Sequence, residues 1–333
     1  MNVSDFFAFL SVTVTLGVAF VNGWTDAPNA ISSCVVTRCI SLKKAVILAA
    51  FCDFFGSLVM GLFSGKVMQT VVNLAAFGDS GIMPMCASMI SVVLWAVTAW
   101  YFGIPTSESH ALMAALLGAG VAINGNFSAF DLAEWMKVVY GLLLSLVLGF
   151  VSGFVISGIT VYLFSGCDKQ KSDLFFKYTQ IAAGSLMAFM HGAQDSQKFT
   201  GMFMLVLFGS GRVSDISDVP EWLLLVAPLA ISLGTATGGA RIIKSVGMDM
   251  IKMRRDMGFS ADVAGAFCIF ISTIFGLPVS TTHTKTSALL GVGALRSLKS
   301  VNWGVAVEMI IAWILTFPGC ALLSYIITKL FCG

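Results

Sequence analysis

Apolar residues on this chain come in runs too long for a soluble core, and the polar residues that interrupt them fall into two repeated patterns. The run from Phe6 to Thr37 covers 32 residues, against the roughly 20 that cross a bilayer as a helix. It is interrupted at Val21 to Ala30, VNGWTDAPNA, where Asn22, Thr25, Asp26 and Asn29 stand together. Apolar residues then resume in AISSCVV, and Arg38 is the first residue to mark water. The spacing predicts two half-helices with a polar break. Pro28 has no N–H to give the carbonyl of Trp24, and Gly23 relaxes the backbone just before it. Asp26 is then an ionisable group at membrane depth, a cost of about 3 kcal/mol or more that marks a functional site by default.

The same kind of segment recurs along the chain. Apolar runs occupy Leu42 to Phe63, Pro84 to Phe102, Pro105 to Ile123 and Trp135 to Phe164, and a polar joint follows from Ser165 to Lys177. A second overlong run, Tyr178 to Phe208, is interrupted at HGAQDSQK. Runs at Trp222 to Ala240, Phe259 to Leu277, Pro278 to Leu295 and Trp303 to Phe331 complete the chain. Two motifs recur in matching places: Asp26 in NGWTDAPNA matches Asp195 in HGAQDSQKF at an offset of 169, and GIPTSESH matches GLPVSTTH at an offset of 173. Five crossings in each half would insert the second half upside down relative to the first. The expected fold is an all-α polytopic membrane protein, an inverted repeat of two five-segment halves (1–166 and 167–333) with broken helices.

Loop charge predicts the orientation. Basic residues concentrate at Arg38, Lys43 and Lys44, in the joint, from Arg241 to Arg255, and at Arg296 and Lys299, which places those loops in the cytoplasm. Loops around Asp79, around Asp131 and Glu134, and from Asp215 to Glu221 are expected outside. This assignment takes 105–123 and 278–295 as full crossings; re-entry would change the count and leave the inverted relation intact.

Composition narrows the class. At 57% hydrophobic and 11% charged residues, the chain cannot build a solvated surface around a buried core. A net charge of +2 with no long basic block argues against nucleic acid as a partner. Asp5 precedes the first run and no small-residue cleavage site follows it, so no removable signal peptide is expected. The eight cysteines lack any CxxC spacing, which predicts neither a metal centre nor a disulfide framework. The expected setting is a bacterial cell membrane.

Within the motifs, Gln194, Asp195 and Lys198 share a helical face, as Asp26 and Asn29 do. An ordinary interhelical ion pair would explain Asp195 with Lys198, but Asp26 has no basic neighbour in sequence. Pro105 and Pro278 suit a first helical position, and the hydroxyls of Ser107, Ser109, Ser280, Thr281 and Thr282 follow them. A helix start inside an apolar region is an anion site, because its N–H groups and positive dipole end face the ligand. A proline-kinked helix whose hydroxyls bond back to their own carbonyls is the plainer alternative. His110, His191 and His283 all lie in these motifs, where bracing hydrogen bonds are the preferred role. Asp53 and Glu308 are intramembrane carboxylates outside the motifs and rank as secondary candidates.

NGWTDAPNA and HGAQDSQKF resemble the duplicated Gly-x-Asn-Asp-x-x-Asn signature of the inorganic phosphate transporter (PiT) family, and GIPTSESH and GLPVSTTH resemble its Pro-x-Ser-x-x-His segments. The likeness runs from Asn22 to WILTFP at Trp313. It implies phosphate uptake driven by sodium or protons, with an ion and phosphate site where the four motifs meet. On that basis Ser107, Ser109, Ser280, Thr281, Thr282, Gln194 and Lys198 are expected to bind substrate. Thr25, Asp26, Asn29, Asp195 and Glu108 are expected to couple the ion, with Asp26, Asn29 and Asp195 as ligands if that ion is sodium. No other cofactor is expected; the lipid bilayer and a second copy of the chain are the remaining candidate partners. Three departures bear on coupling. Thr25 and Gln194 stand where the family usually has Asn, Lys198 stands where the second Asn would be, and Glu108 replaces a hydroxyl residue.

Charge makes symport the expected mechanism. An oxyanion 4 Å from Asp26 and Asp195 would meet about 4 kcal/mol of repulsion from each at an effective dielectric of 20, so cations must enter with it. Lys198 occupies a place that a second sodium would take, and Glu108 is a buried carboxyl able to carry a proton, which favours proton coupling. Sulfate, which shares the shape of phosphate, is the nearest rival substrate. An intramembrane hydrolase using Ser107 or Ser109 with His110 is a distant one, since neighbours in a single segment are poorly placed as nucleophile and base.

Overall fold

The computed structural model describes residues 3–75, 77, 82–102, 106–127, 129–238 and 253–332. Its α-helices are α1 (Val3–Thr25), α2 (Ala27–Val36), α3 (Leu42–Phe63), α4 (Lys66–Leu74), α5 (Ile82–Phe102), α6 (Glu108–Asn124), α7 (Leu132–Phe164), α8 (Lys169–Gly209), α9 (Leu223–Thr237), α10 (Arg255–Ile274), α11 (Thr281–Arg296) and α12 (Trp303–Cys332). Among the described residues, six segments are long and apolar enough to span a bilayer, Asp5–Val36 and Leu132–Phe164 being two of them. The chain is an integral multi-pass membrane protein. Gly103, Ile104 and Pro105, Asp79, and the basic stretch 241–252 lie outside the described residues.

The expected polar break is present in the first overlong run. Asp26 separates α1 from α2, and Pro28 lies in the first turn of α2. The ladder closes around the break through Asp26 N–H to Asn22 O at 2.8 Å and Asn29 N–H to Asp26 O at 3.0 Å. The second overlong run differs from expectation: α8 is a single unbroken helix of 41 residues, about 60 Å long, with Asp195 inside it. Gln197 stands where the first copy has Pro28, and a residue with an N–H leaves the ladder intact. The polar joint is also shorter than expected, because helix begins at Lys169. Asp168 caps it, its Oδ1 accepting from Gln170 N–H at 2.9 Å and Lys171 N–H at 3.0 Å.

The segments at 105–123 and 278–295 do not cross as expected: α6 and α11 each run back along the helix before them, from starts that lie at the centre. In α10–α11 the arms meet at the open end, where Arg296 pairs with Asp256. The chain turns at Gly276, which adopts φ 68°. There Gly276 N–H bonds Thr273 O at 3.1 Å and Leu277 N–H bonds Ser272 O at 2.9 Å. This is the left-handed close of a helix that glycine permits. In α5–α6 the arms are joined by Ser88 Oγ–H to Ala115 O at 3.3 Å.

Two groups of loops occupy opposite ends. Thr37, Cys167, Asp173, Arg254, Arg255 and Arg296 line one cavity, so four stretches expected in the cytoplasm converge at one end. The acidic stretch that begins α7 lies at the other, where Asn73 Nδ2–H reaches Glu134 Oε1 at 3.3 Å. The four basic stretches and the acidic start of α7 therefore lie at opposite ends, as the positive-inside rule requires.

Contacts between the halves are made twice. A Cβ on Gly23 would lie 1.9 Å from Ile231 O, and one on Gly192 would lie 2.2 Å from Asp53 O. Likewise a Cβ on Gly234 would lie 1.9 Å from Phe20 O, and one on Gly56 would lie 1.9 Å from Phe189 O. Gly23 and Gly192, and Phe20 and Phe189, are each related by the offset of 169, so α1 crosses α9 as α8 crosses α3. The α6–α12 and α7–α11 crossings match in the same way, with Gly118 against Ala321 O and Gly291 against Phe150 O. Such reciprocal pairing is what an inverted repeat demands, and backbone-to-backbone approach is how small residues hold helices together in lipid.

Gly56→Ala and Gly192→Ala are accordingly expected to destabilise the protein by about 2 kcal/mol each, because a methyl group would meet backbone that cannot yield. Gly17→Ala, with nothing within 4 Å, is the control. Detergent melting temperatures should fall for the first two and hold for the third; equal values for all three would contradict the crossing.

Candidate functional site

Four elements converge at the centre: the α1–α2 break, the middle of α8, and the starts of α6 and α11. Both hairpin helices are capped alike. Ser107 Oγ accepts from His110 N–H and Ser280 Oγ accepts from His283 N–H, each at 3.2 Å. Each helix start is tied to the aspartate of the other half, α11 directly to Asp26 and α6 to Asp195 through Lys198. Asp26 Oδ1 accepts from Asn29 Nδ2–H at 3.0 Å and from the Thr282 hydroxyl, while Thr281 Oγ1–H reaches Asp26 Oδ2 at 3.2 Å. Asn29 Nδ2 also lies 2.9 Å from Thr282 Oγ1.

Around Asp195 the arrangement repeats with one change. Lys198 Nζ stands where Asn29 Nδ2 stands in the first copy, donating to Asp195 Oδ1 at 2.6 Å and to Ser109 Oγ at 2.5 Å. It donates further to Val279 O at 2.7 Å. Asn22 Nδ2–H joins the two halves by reaching Asp195 Oδ2 at 3.0 Å. Glu108 lies beside Asp26 and contacts the Thr25 hydroxyl rather than Lys198. Asp26, Asp195, Glu108 and Lys198 are all at most 2% exposed.

His191 belongs to this cluster, and it also makes the bracing hydrogen bond expected of it, to Asp53 of α3. Its Nδ1 lies 3.0 Å from Asp53 Oδ1 and its Nε2 lies 3.5 Å from Asp195 Oδ2. Asp26, His191 and Asp195 each offer a ligand atom within 4.8 Å of the others, so their oxygen and nitrogen donors can surround a small cation. Asp53 is held by His191 and by Thr235 Oγ1–H at 2.7 Å, behind the site. His110 and His283 do not make the bracing hydrogen bonds expected of them: their rings meet edge to face at 4.4 Å and His283 lies 3.8 Å from the Trp313 ring, while His110 Nδ1 and both ring nitrogens of His283 are without a hydrogen-bond partner among the described residues.

Most of the sequence-derived candidates meet here: Thr25, Asp26, Asn29, Glu108, Ser109, Asp195, Lys198, Thr281 and Thr282. Ser107 and Ser280 are spent on capping. Gln194 is taken up by the turn between α10 and α11 and does not bond the aspartates, donating to Leu277 O at 2.9 Å and accepting from the Thr273 hydroxyl. The C-terminal end of α10 leaves carbonyls without intrahelical donors, and a long amide on the adjoining helix bonds the turn that follows it. Glu308 is exposed on the outer face of α12 and has no place in the site. A second buried cluster escaped the sequence reading: Lys285 pairs with Asp262, and Ser33 Oγ–H reaches Asp262 Oδ2 at 2.6 Å. Its legible signal was a lysine three residues beyond Thr282 in an otherwise uncharged helix interior. The hydrolase arrangement does not form, because Ser109 Oγ is engaged by Lys198 and the His110 ring by His283.

A sequence profile described as the phosphate transporter family matches residues 22–324. A probable low-affinity inorganic phosphate transporter of Bacillus subtilis is 35% identical over 98% of this chain and 97% of its own length. One of the same description from Rhizobium meliloti is 36% identical over 94% of this chain and 93% of its own. A solved structure described as the sodium-dependent phosphate transporter superposes with a TM-score of 0.85, covering 97% of this chain and 98% of that one, at 22% identity. That likeness speaks to the fold, which is shared almost end to end. With the motif copies crossed at one buried centre and a match that leaves out little beyond the termini, the chain belongs to the phosphate transporter family.

Proposed function

We propose that this chain is a secondary active symporter that takes up inorganic phosphate with a cation, and that the cation is a proton. The observation that carries the reading is the pair of hairpin helix starts beside Asp26 and Asp195 in a buried centre. Helix N-termini attract an oxyanion, while the carboxylates repel it by about 4 kcal/mol each at 4 Å. Cargo and counter-charge must therefore enter together. Rocking of one set of helices against the other then exposes the loaded site to each side in turn.

Two side chains favour the proton. Lys198 places a fixed positive charge where the first copy has a neutral amide, which neutralises Asp195 and fills the place a second sodium would take. Glu108 lies against Asp26, and a proton on it removes the repulsion between the two carboxyl groups. Phosphate is favoured over sulfate because the cluster is rich in acceptors. Asn22 Oδ1, Asn29 Oδ1 and Glu108 Oε2 are buried without a hydrogen-bond donor among the described residues. At neutral pH phosphate has a proton to donate and sulfate has none.

Reconstituted protein should accumulate labelled phosphate in proteoliposomes, faster with an inward proton gradient, and exclude sulfate. Replacing sodium by choline should change the rate less than about twofold, since the coupling free energy of a sodium site would give a larger factor. Preferential sulfate uptake would overturn the substrate, and strong sodium dependence would overturn the coupling ion.

A further inference from the structure

One polar face of α2 leads away from the central site. Asp26, Asn29, Ser33 and Thr37 follow one another at helical spacing, over about 16 Å. One turn beyond Asn29, Ser33 meets Asp262 of α10 and Lys285 of α11. Ser33 Oγ lies 2.6 and 2.9 Å from the two Asp262 oxygens and 3.4 Å from Lys285 Nζ, and Lys285 pairs directly with Asp262. All three side chains are fully buried. A turn further, Thr37 bonds Gln180 Oε1 at 2.9 Å and opens on a cavity of about 650 Å³ lined by Lys169, Arg254, Arg255 and Arg296.

This ion pair is not duplicated, unlike the site it adjoins. The residue matching Lys285 at the offset of 173 is Leu112, and the residue matching Ser33 at 169 is Met202; both are buried in the apolar core. The other half is thus built without a charge at this position. A buried ion pair rarely stabilises more than apolar residues of the same volume, so packing gives no reason for its presence on one side only. That side is the basic end of the molecule.

We propose that Lys285 is a relay subsite for the phosphate oxyanion between the central site and the basic cavity, with Asp262 as its resting partner. This rests on the phosphate-transport reading above. As the anion leaves Thr281 and Thr282, the next ammonium along α11 is Lys285, three residues on. The oxyanion takes the Lys285 ammonium, and Asp262 keeps the Ser33 hydroxyl. When the anion passes to the arginines of the cavity, Lys285 returns to Asp262. No bond is made or broken; one anionic partner replaces another. The exchange also explains why Lys285 is paired at all. A bare buried ammonium would hold phosphate too tightly for release, whereas one that trades carboxylate for phosphate leaves both states close in free energy.

The test is the charge-free pair Lys285→Gln/Asp262→Asn, which keeps size and the bonds to Ser33, together with Lys285→Leu/Asp262→Leu, which copies the apolar packing of the other half. At least one should fold with the wild-type melting temperature. Labelled phosphate should bind it in detergent with unchanged affinity, because the central site is intact. Uptake into proteoliposomes should fall at least about tenfold in maximal rate at a similar half-saturating concentration, the signature of a lost transition rather than lost binding. A folded charge-free variant that transports within about twofold of wild type would overturn the relay and leave a merely structural ion pair. Failure of the wild type to bind phosphate would overturn the transport reading and the relay with it, an outcome distinct from the first.

Discussion

Asp26→Asn is expected to abolish phosphate uptake and leave the protein folded, whereas Asp195→Asn should lose both uptake and stability. The amide and hydroxyl donors to Asp26 are neutral: Asn29, Thr281 and Thr282. An amide of the same size keeps an acceptor for them and removes a negative charge that faces Glu108 and Asp195, so the melting temperature should hold or rise. Uptake is lost because the cation no longer has its carboxylate. Asp195 is different, since Lys198 Nζ lies 2.6 Å away at 1% exposure. Its replacement strands a buried ammonium, a loss of about 3–5 kcal/mol. Adding Lys198→Met to Asp195→Asn should recover the melting temperature without recovering uptake. Uptake and detergent melting measured side by side decide the matter. Equal destabilisation by the two single variants would mean that both aspartates merely hold helices together, and transport by a folded Asp26→Asn protein would remove it from the coupling site.

Lys198→Asn should change the coupling ion. The substitution makes the second copy like the first, where Asn29 bridges Asp26 and Thr282. With the ammonium gone, the oxygens of Asp195 and Ser109 and the Asn carbonyl become a set of hard ligands for sodium. Uptake by Lys198→Asn should then fall about tenfold when choline replaces sodium, within the usual range of coupling between sites. Glu108→Gln is the companion variant. It keeps the contact with Thr25 and cannot exchange a proton, so the rise of uptake with an inward proton gradient should flatten. Should Lys198→Asn remain indifferent to sodium while Glu108→Gln keeps the wild-type pH profile, neither side chain sets the coupling ion.

Much of this site was legible because its chemistry is local. Pro28 breaks the helix beside Asp26 through its own missing N–H, and Ser107 and Ser280 cap helices through residues three further on. The repeat placed Lys198 opposite Asn29 by counting alone. The role of Gln194 was not legible, because its partners Leu277 and Thr273 belong to a hairpin tip distant in sequence. Asp262 and Lys285 were overlooked for a related reason. A lone charge in an apolar run declares a partner without naming it, and theirs lie on two other helices.

The sequence by itself determined the membrane class, the two motif pairs, the break at Asp26 and the segregation of basic from acidic loops, all of which depend on composition or on neighbours within a turn or two. Only the tertiary structure decided that α8 runs unbroken through Asp195, that 105–123 and 278–295 return as hairpin arms, and that each tip serves the carboxylate of the opposite half. Both tips carry hydroxyls, and both aspartates accept hydrogen bonds from the side chains around them, so local chemistry is equally satisfied by either pairing. The choice is made by the crossings themselves. Glycines that bring backbones into contact at Gly23, Gly56, Gly192 and Gly234 lock α1 to α9 and α3 to α8, and the tips meet the aspartates that those crossings bring within reach.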